Sequence, residues 1–132
     1  MITFDTSISG LQAAQARNLR RIAGFQPSGK LGQIVKDATL AMLRYVIQIT
    51  HVWIYKGGGL RASHRADLSG LHGMIYIDPG AVNPRGQMPA IYGPYEHARG
   101  GAHAFYSRGV TEYGPEVASL ILETAKEIAF GA

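Results

Sequence analysis

The chain contains no cysteine. That excludes disulfides and thiolate metal sites, and it fits a protein made in a reducing cytoplasm. Charge is sparse, with Asp, Glu, Lys and Arg making up 17% of residues. Long apolar runs are missing as well. The longest candidate, around Tyr45 to Tyr55, is broken by Gln48, Thr50 and His51, and it falls short of the roughly 18 residues a membrane span needs. Met1-Ile2-Thr3-Phe4-Asp5 lacks the basic-then-apolar order of a signal peptide. No membrane partner is expected.

What is present suits one globular domain. The chain has 132 residues, of which 46% are hydrophobic. That length builds one core but not two. The net charge of +4 is scattered, so it argues only weakly for a nucleic-acid partner. Its densest cluster, Arg17, Arg20 and Arg21, has helical spacing and reads as a solvated face.

The periodicity predicts a helix over Ser9 to Ala23, ended by Gly24 and Pro27. A second is predicted over Leu31 to Ile49, where Leu31, Ile34, Val35, Ala38, Met42, Val46 and Ile49 form one stripe. Ser28 is its expected N-cap. Beyond Gly57-Gly58-Gly59 the pattern shortens. Strands are expected at Leu60 to Ala66, His72 to Asp78 and, as an edge, Ala90 to His97. Asp78-Pro79-Gly80 is a turn, and Ala81 to Pro89 a loop. A last helix is predicted from Gly114-Pro115-Glu116 to Phe130, with its proline and acid suited to a first turn. The expected class is α+β, a small antiparallel sheet flanked by N-terminal helices and a long C-terminal helix. Residues 1–132 form one domain, with a helical region at 9–50, sheet and loops at 57–113, and the C-terminal helix at 114–130. The loops Gly57 to Arg65 and Ala81 to Pro89 are expected to be exposed until neighbours order them.

Chemical motifs are weak. Gly24 to Lys30 matches the first seven positions of a phosphate-binding loop, but Leu31 stands where a magnesium-binding hydroxyl belongs. A helix precedes it where a strand is needed. The histidines at 51, 64, 72, 97 and 103 include no pair at the spacing that puts two ligands on one helix face, so they read as surface or interface residues. Ser63, His64 and Asp67 lie close in sequence without the strand-to-helix elbow of a hydrolase nucleophile. No catalytic residue, metal or cofactor is expected. Tyr92, Tyr95, Phe105, Tyr106 and Tyr113 instead crowd near Arg99 and Arg108. Tyrosine and arginine of this density suit a protein contact better than stacked bases. Tyr92, Tyr95, Glu96, Arg99, Phe105 and Tyr106 are therefore candidate interface residues, with some rings shared with the core and Glu96 paired to a neighbour's arginine.

Three segments resemble the head–tail joining, or tail-completion, proteins of long-tailed bacteriophages. Gly58-Gly59-Leu60-Arg61-Ala62-Ser63 is similar to that family's Gly-x-Leu-Arg-x-Ser step, although the threonine that commonly precedes it is here a glycine. Tyr92-Gly93-Pro94-Tyr95-Glu96-His97-Ala98 is similar to its Tyr-Ala-x-Tyr-x-Glu-x-Gly motif, one residue shorter before the glutamate. Ala104-Phe105-Tyr106 matches an aromatic step before a long C-terminal helix. The likeness covers about Ala38 to Phe130. It implies a non-enzymatic virion protein of the neck, assembled as a homo-oligomeric ring, a hexamer in that family. It also implies contacts with other neck and tail proteins and genome DNA passing nearby without sequence-specific binding. Gly58, Gly59, Leu60, Arg61 and Ser63 would form a docking loop. A small basic nucleic-acid-binding adaptor is the alternative.

Overall fold

A computed structural model describes residues 8–52 and 59–131, with side chains described from residue 12. The elements run α1 (Ile8–Gly24), α2 (Lys30–Ile49), α3 (Gly59–Ala62), β1 (His64–Ser69), β2 (His72–Ile77), α4 (Pro89–Ala98), a 3-10 turn (Gly101–His103), α5 (Phe105–Glu112) and α6 (Gly114–Phe130). This is the expected α+β class: a small antiparallel sheet with N-terminal helices before it and a long C-terminal helix after it. Among the described residues no helix is long and apolar enough to cross a membrane.

The long helix α2 organises the rest. Its stripe buries Gly32, Val35, Ala38 and Val46. It starts at Gly29, which makes no side-chain cap bond, so Ser28 is not the cap. Thr50 ends it, with an extended ψ of 125° and its backbone N–H still bonded to the Val46 carbonyl. The partner helix α6 lies antiparallel to α2. Lys30 pairs with Glu127 at one end, and Tyr45 stacks on Tyr113 at the other, ring centroids 5.1 Å apart. Pro115 sits in the first turn of α6, where its missing N–H costs nothing, and Glu116 follows as an acid.

The hairpin packs on the same helix. Its antiparallel register runs from His64 opposite Ile77 to Ser69 opposite His72, across the turn residues Gly70 and Leu71. Gly70 supplies the positive φ of 61° that the turn needs. Ala66, Leu68, Ile75 and Ile77 are half-buried, while Arg65, Asp67, Met74 and Tyr76 alternate outward. Gly73 leaves no space for a side chain, because the Thr39 side chain on α2 fills it. The core behind the sheet is small: Val46, Leu60 and Phe105, with Met42, Ile49, Ile77, Tyr92 and Tyr106 around them.

The middle of the chain departs from the sequence-based expectation. Residues 57–113 were expected to be sheet and loops, yet only 64–77 carry strands. Leu60 to Ala66 divides between a helical turn and the first strand. Ala90 to His97 is helix, not strand: Pro89 takes a first-turn position and Pro94 is tolerated inside. The reason is tertiary. Gly93 lets α4 seat its backbone on Leu60 and Ile77, where an added Cβ would come within 2.6 Å of Ile77. The next helix, α5, is seated the same way, through buried Gly109 on Val46. Gly24 to Lys30 is a turn between helices, and the backbone N–H groups of Phe25, Gln26 and Gly29 already donate to nearby carbonyls.

The loop from Ala81 to Met88 is ordered from within. Asn83, 4% exposed, anchors it. Its Oδ1 accepts from the backbone N–H groups of Arg85 and Gln87, each at 2.9 Å. Its Nδ2 donates to the Gln87 side chain at 3.1 Å. Around this one buried asparagine, Val82 and residues 84–88 are exposed, as expected of the loop.

Candidate assembly interface and the histidine cluster beneath it

The candidate interface residues separate into two layers. Tyr95 is 74% exposed and Ile91 64% exposed on α4. With Met88 they lie at i, i+3 and i+7, one face of the helix. Phe105 lies at the other extreme, 2% exposed in the core, and cannot offer its ring to a neighbour. Tyr92 and Tyr106 are half-buried against that core. The Tyr92 hydroxyl lies 3.4 Å from Asn83 Nδ2, which donates to it, and burial raises its pKa.

Glu96 is engaged inside its own subunit. Its carboxylate receives Arg99 at 3.2 Å and faces His103 Nδ1 at 3.6 Å, with the Glu96 side chain only 13% exposed. This internal pair was not foreseen in the sequence. Arg99 keeps an exposed side chain beside Tyr95.

The docking-loop residues are also mostly internal. Gly58 lies outside the described residues. Leu60 is 4% and Ser63 1% exposed, and Ser63 Oγ donates to the Leu60 carbonyl at 2.7 Å. Gly59 faces Asn83 so closely that a Cβ would lie 2.5 Å from its side chain. Arg61 reaches back to the end of α2, donating to the carbonyls of Gln48 at 2.9 Å and Thr50 at 3.1 Å. These two carbonyls are among the last of α2, where a cation complements the helix dipole. The loop braces α2 from within, so its expected exposure does not hold for Leu60, Ser63 and His64, while Ala62 and Arg65 are exposed.

Beneath the exposed face lies a histidine cluster that sequence reasoning missed. His64 was expected at the surface but is 2% exposed. Its Nε2 lies 2.8 Å from Thr50 Oγ1 and its Nδ1 3.2 Å from the Tyr106 hydroxyl. The Thr50 hydroxyl has one proton, which it gives to the Val46 carbonyl at 2.6 Å. It must therefore accept from His64, so Nε2 carries the proton and Nδ1 receives the Tyr106 O–H. A neutral imidazole satisfies both partners; an imidazolium would point a second N–H at the donor. Burial, with Arg65 adding to it, pushes the His64 pKa down to about 4. Burial also pushes the Tyr106 hydroxyl up to about 12. Phe105 closes the cluster, edge-on to both His64 and His97 at 5.2 Å.

His97 serves the chain in another way. Its Nε2 accepts the backbone N–H of Ser107 at 3.2 Å, with the Ser107 hydroxyl at 3.3 Å. Ser107 is in the first turn of α5, whose N–H groups have no partner within the helix. The imidazole thus caps α5 across 10 residues of sequence. This serine–histidine contact resembles a nucleophile and base, but the ring nitrogen is held by a backbone donor. Among the described residues no group of three or more His, Asp or Glu converges as a metal site.

Two concavities lie on the described surface, the second lined in part by Tyr106. One, of about 590 Å³, is lined by Arg17, Arg20, Arg21, Lys30, Glu127 and Phe130, among others, where α1 meets the end of α6. The other, of about 400 Å³, lies between β2, α2 and α5. No family model, no curated protein and no solved structure matches the chain.

Proposed function

We propose that this chain is a structural subunit of a bacteriophage neck, one copy of a homo-oligomeric ring that connects the head to the tail tube. The observation that carries the reading is where its large apolar side chains lie. Buried hydrophobics are few: Val35, Ala38, Val46, Leu60 and Phe105. Exposed ones among the described residues occur on five helices and on β2, including Leu19 and Ile22 on α1, Leu40 on α2, Ile91 and Tyr95 on α4, Val110 on α5, and Leu122 and Phe130 on α6. Single exposed apolar residues are ordinary, but stripes on several helices of one small domain suit a subunit with several neighbours. A ring needs two different patches on each subunit. Tyr95 and Arg99 on α4 supply one of them, with an aromatic anchor and a charged rim. The motif resemblance adds the neck as the setting.

The test is a particle assay. Ile91→Asp combined with Tyr95→Ala should give a folded subunit, because both side chains are mostly exposed, and should yield filled heads and free tails that fail to join. Infectious particles at normal yield would sink the reading. The second reading, a nucleic-acid-binding adaptor, rests on Arg17, Arg20 and Arg21 lining one groove on a helix that carries no acid in its described sequence. Tight DNA binding that falls steeply with salt would favour it.

A further inference from the structure

The cleft where α1 meets the end of α6 holds most of the chain's net charge. Arg17, Arg20, Arg21 and Lys30 line it with one acid, Glu127. That is an excess of three positive charges, in a chain whose net charge is +4. Lys30 is matched to Glu127. The three arginines have no such partner among the described residues, whose other ion pairs join Arg65 to Asp78, Arg99 and His103 to Glu96, and Arg108 to Glu112. The last carbonyls of α6 contribute about half a negative charge, which leaves most of the excess standing. Arg20 and Arg21 lie three and four residues after Arg17, so each is its neighbour on the helix surface, where like charges repel. Their placement works against α1 until an anion enters the cleft.

A second observation narrows the class of anion. Phe130 lines the same cleft and is 84% exposed, the most exposed large hydrophobic among the described residues. Guanidinium forks hold phosphate oxygens in pairs. An aromatic face beside a positively charged groove stacks a base. Together they suit a nucleotide chain, phosphate and base at once. A duplex fits poorly, because its bases already stack on one another, whereas an unpaired base offers a free face. The cleft volume of about 590 Å³ also lies in the range that takes small units. We infer that this cleft binds single-stranded nucleic acid, with Arg17, Arg20 and Arg21 on the phosphates and Phe130 stacked on a base. The inference rests on the nucleic-acid reading above, to which it adds a strand type and a stacking residue, and it does not draw on the ring. The aromatic–arginine pair on α4, Tyr95 with Arg99, is the weaker place for such contact, since Glu96 already neutralises Arg99.

The test is fluorescence anisotropy of the full chain with labelled oligo(dT), oligo(U) and a duplex of mixed sequence. Arg17, Arg20, Arg21 and Phe130 are all exposed, so their replacement leaves the fold intact, which circular dichroism checks. Single strands should bind more tightly than the duplex, and the ratio of oligo(dT) to oligo(U) tells DNA from RNA. Phe130→Ala should weaken the single strands about 5- to 150-fold, the loss of one stacked base, and leave the duplex unchanged. Phe130→Trp should keep the affinity. Glutamine at positions 17, 20 and 21 together should cut the slope of log affinity against log salt by about 2, at about 0.7 per phosphate. Tyr95→Ala should alter neither. Duplex bound as tightly as single strands, with Phe130→Ala silent, would overturn this inference and leave nucleic-acid binding through the arginines. An unchanged salt slope in the triple variant would move the contact off the cleft and overturn the assignment. Binding to none of the three probes removes this inference and the nucleic-acid reading together.

Discussion

Lowering the pH should destabilise this protein through one residue, His64. In the folded state its pKa is depressed to about 4 from an ordinary 6.5. The neutral form is therefore the one the fold favours. Unfolded chains bind the proton between these two values and the folded chain does not. The stabilisation is complete above about pH 6.5 and is lost as pH falls toward about 4, where the folded form also protonates. A shift of this size corresponds to about 3 kcal/mol at about 1.36 kcal/mol per unit. For a chain of this length that is a fall of roughly 10 °C in Tm. Other groups titrate in the same range, so the measurement is a difference: urea or thermal unfolding from pH 7.5 to 4, wild type against His64→Gln. Glutamine can still donate to Thr50 but does not titrate. The variant should start less stable at pH 7.5, having lost the ring contact with Phe105, and should lose less on acidification. Nitrogen chemical shifts of the imidazole should also report the Nε2–H tautomer at pH 7. If the two stability profiles run parallel, or if His64 titrates near 6.5, the argument from Thr50, Val46 and Tyr106 is wrong.

Other perturbations separate core from surface. Phe105→Ala should cost about 3–5 kcal/mol in chemical unfolding, because it empties the centre of a small core, while Tyr95→Ala should change stability by less than about 0.5 kcal/mol. Equal effects would dissolve the two-layer description of the interface residues. Asn83→Ala should cost about 2 kcal/mol by leaving several loop groups unbonded, and it should speed hydrogen exchange at the Arg85 and Gln87 amides; unchanged exchange there would mean the loop is held by something else.

The parts of the fold legible in the sequence were those built by local periodicity. The apolar stripe of α2 repeats over five turns, and α6 opens with Gly114-Pro115-Glu116, so both were placed nearly to the residue. The Ser69–His72 turn was less plain, yet the alternation in β2 was readable. The helices α4 and α5 were not legible as helices. Gly93, Pro94 and Gly109 argue against helix by propensity, and each glycine earns its place only through what it touches: Leu60 and Ile77 in one case, Val46 in the other. A sequence pattern holds no record of such contacts. His64 was missed for a related reason. Nothing in its neighbours along the chain separates it from the exposed histidines, and its burial depends on Thr50 and Tyr106, 14 and 42 residues away. The aromatic density around Tyr95 was readable along the chain, and its ring is exposed. The Glu96–Arg99 pair was not foreseen because Arg99 lies one helical turn ahead, and a residue read as strand cannot be seen to pair at i+3.

Gly24 gives α1 a pivot. A Cβ there would stand 2.7 Å from Ile128 Cγ2, so with any larger residue either the Ile128 side chain or the end of α1 has to give way. The helix has 17 residues and is about 25 Å long. A tilt of about 5° at Gly24 moves Ile8 by about 2 Å, more than half the rise of one strand residue. The far end of α1 thus magnifies small changes at its base, and a single methyl group at position 24 acts through leverage on residues it does not touch.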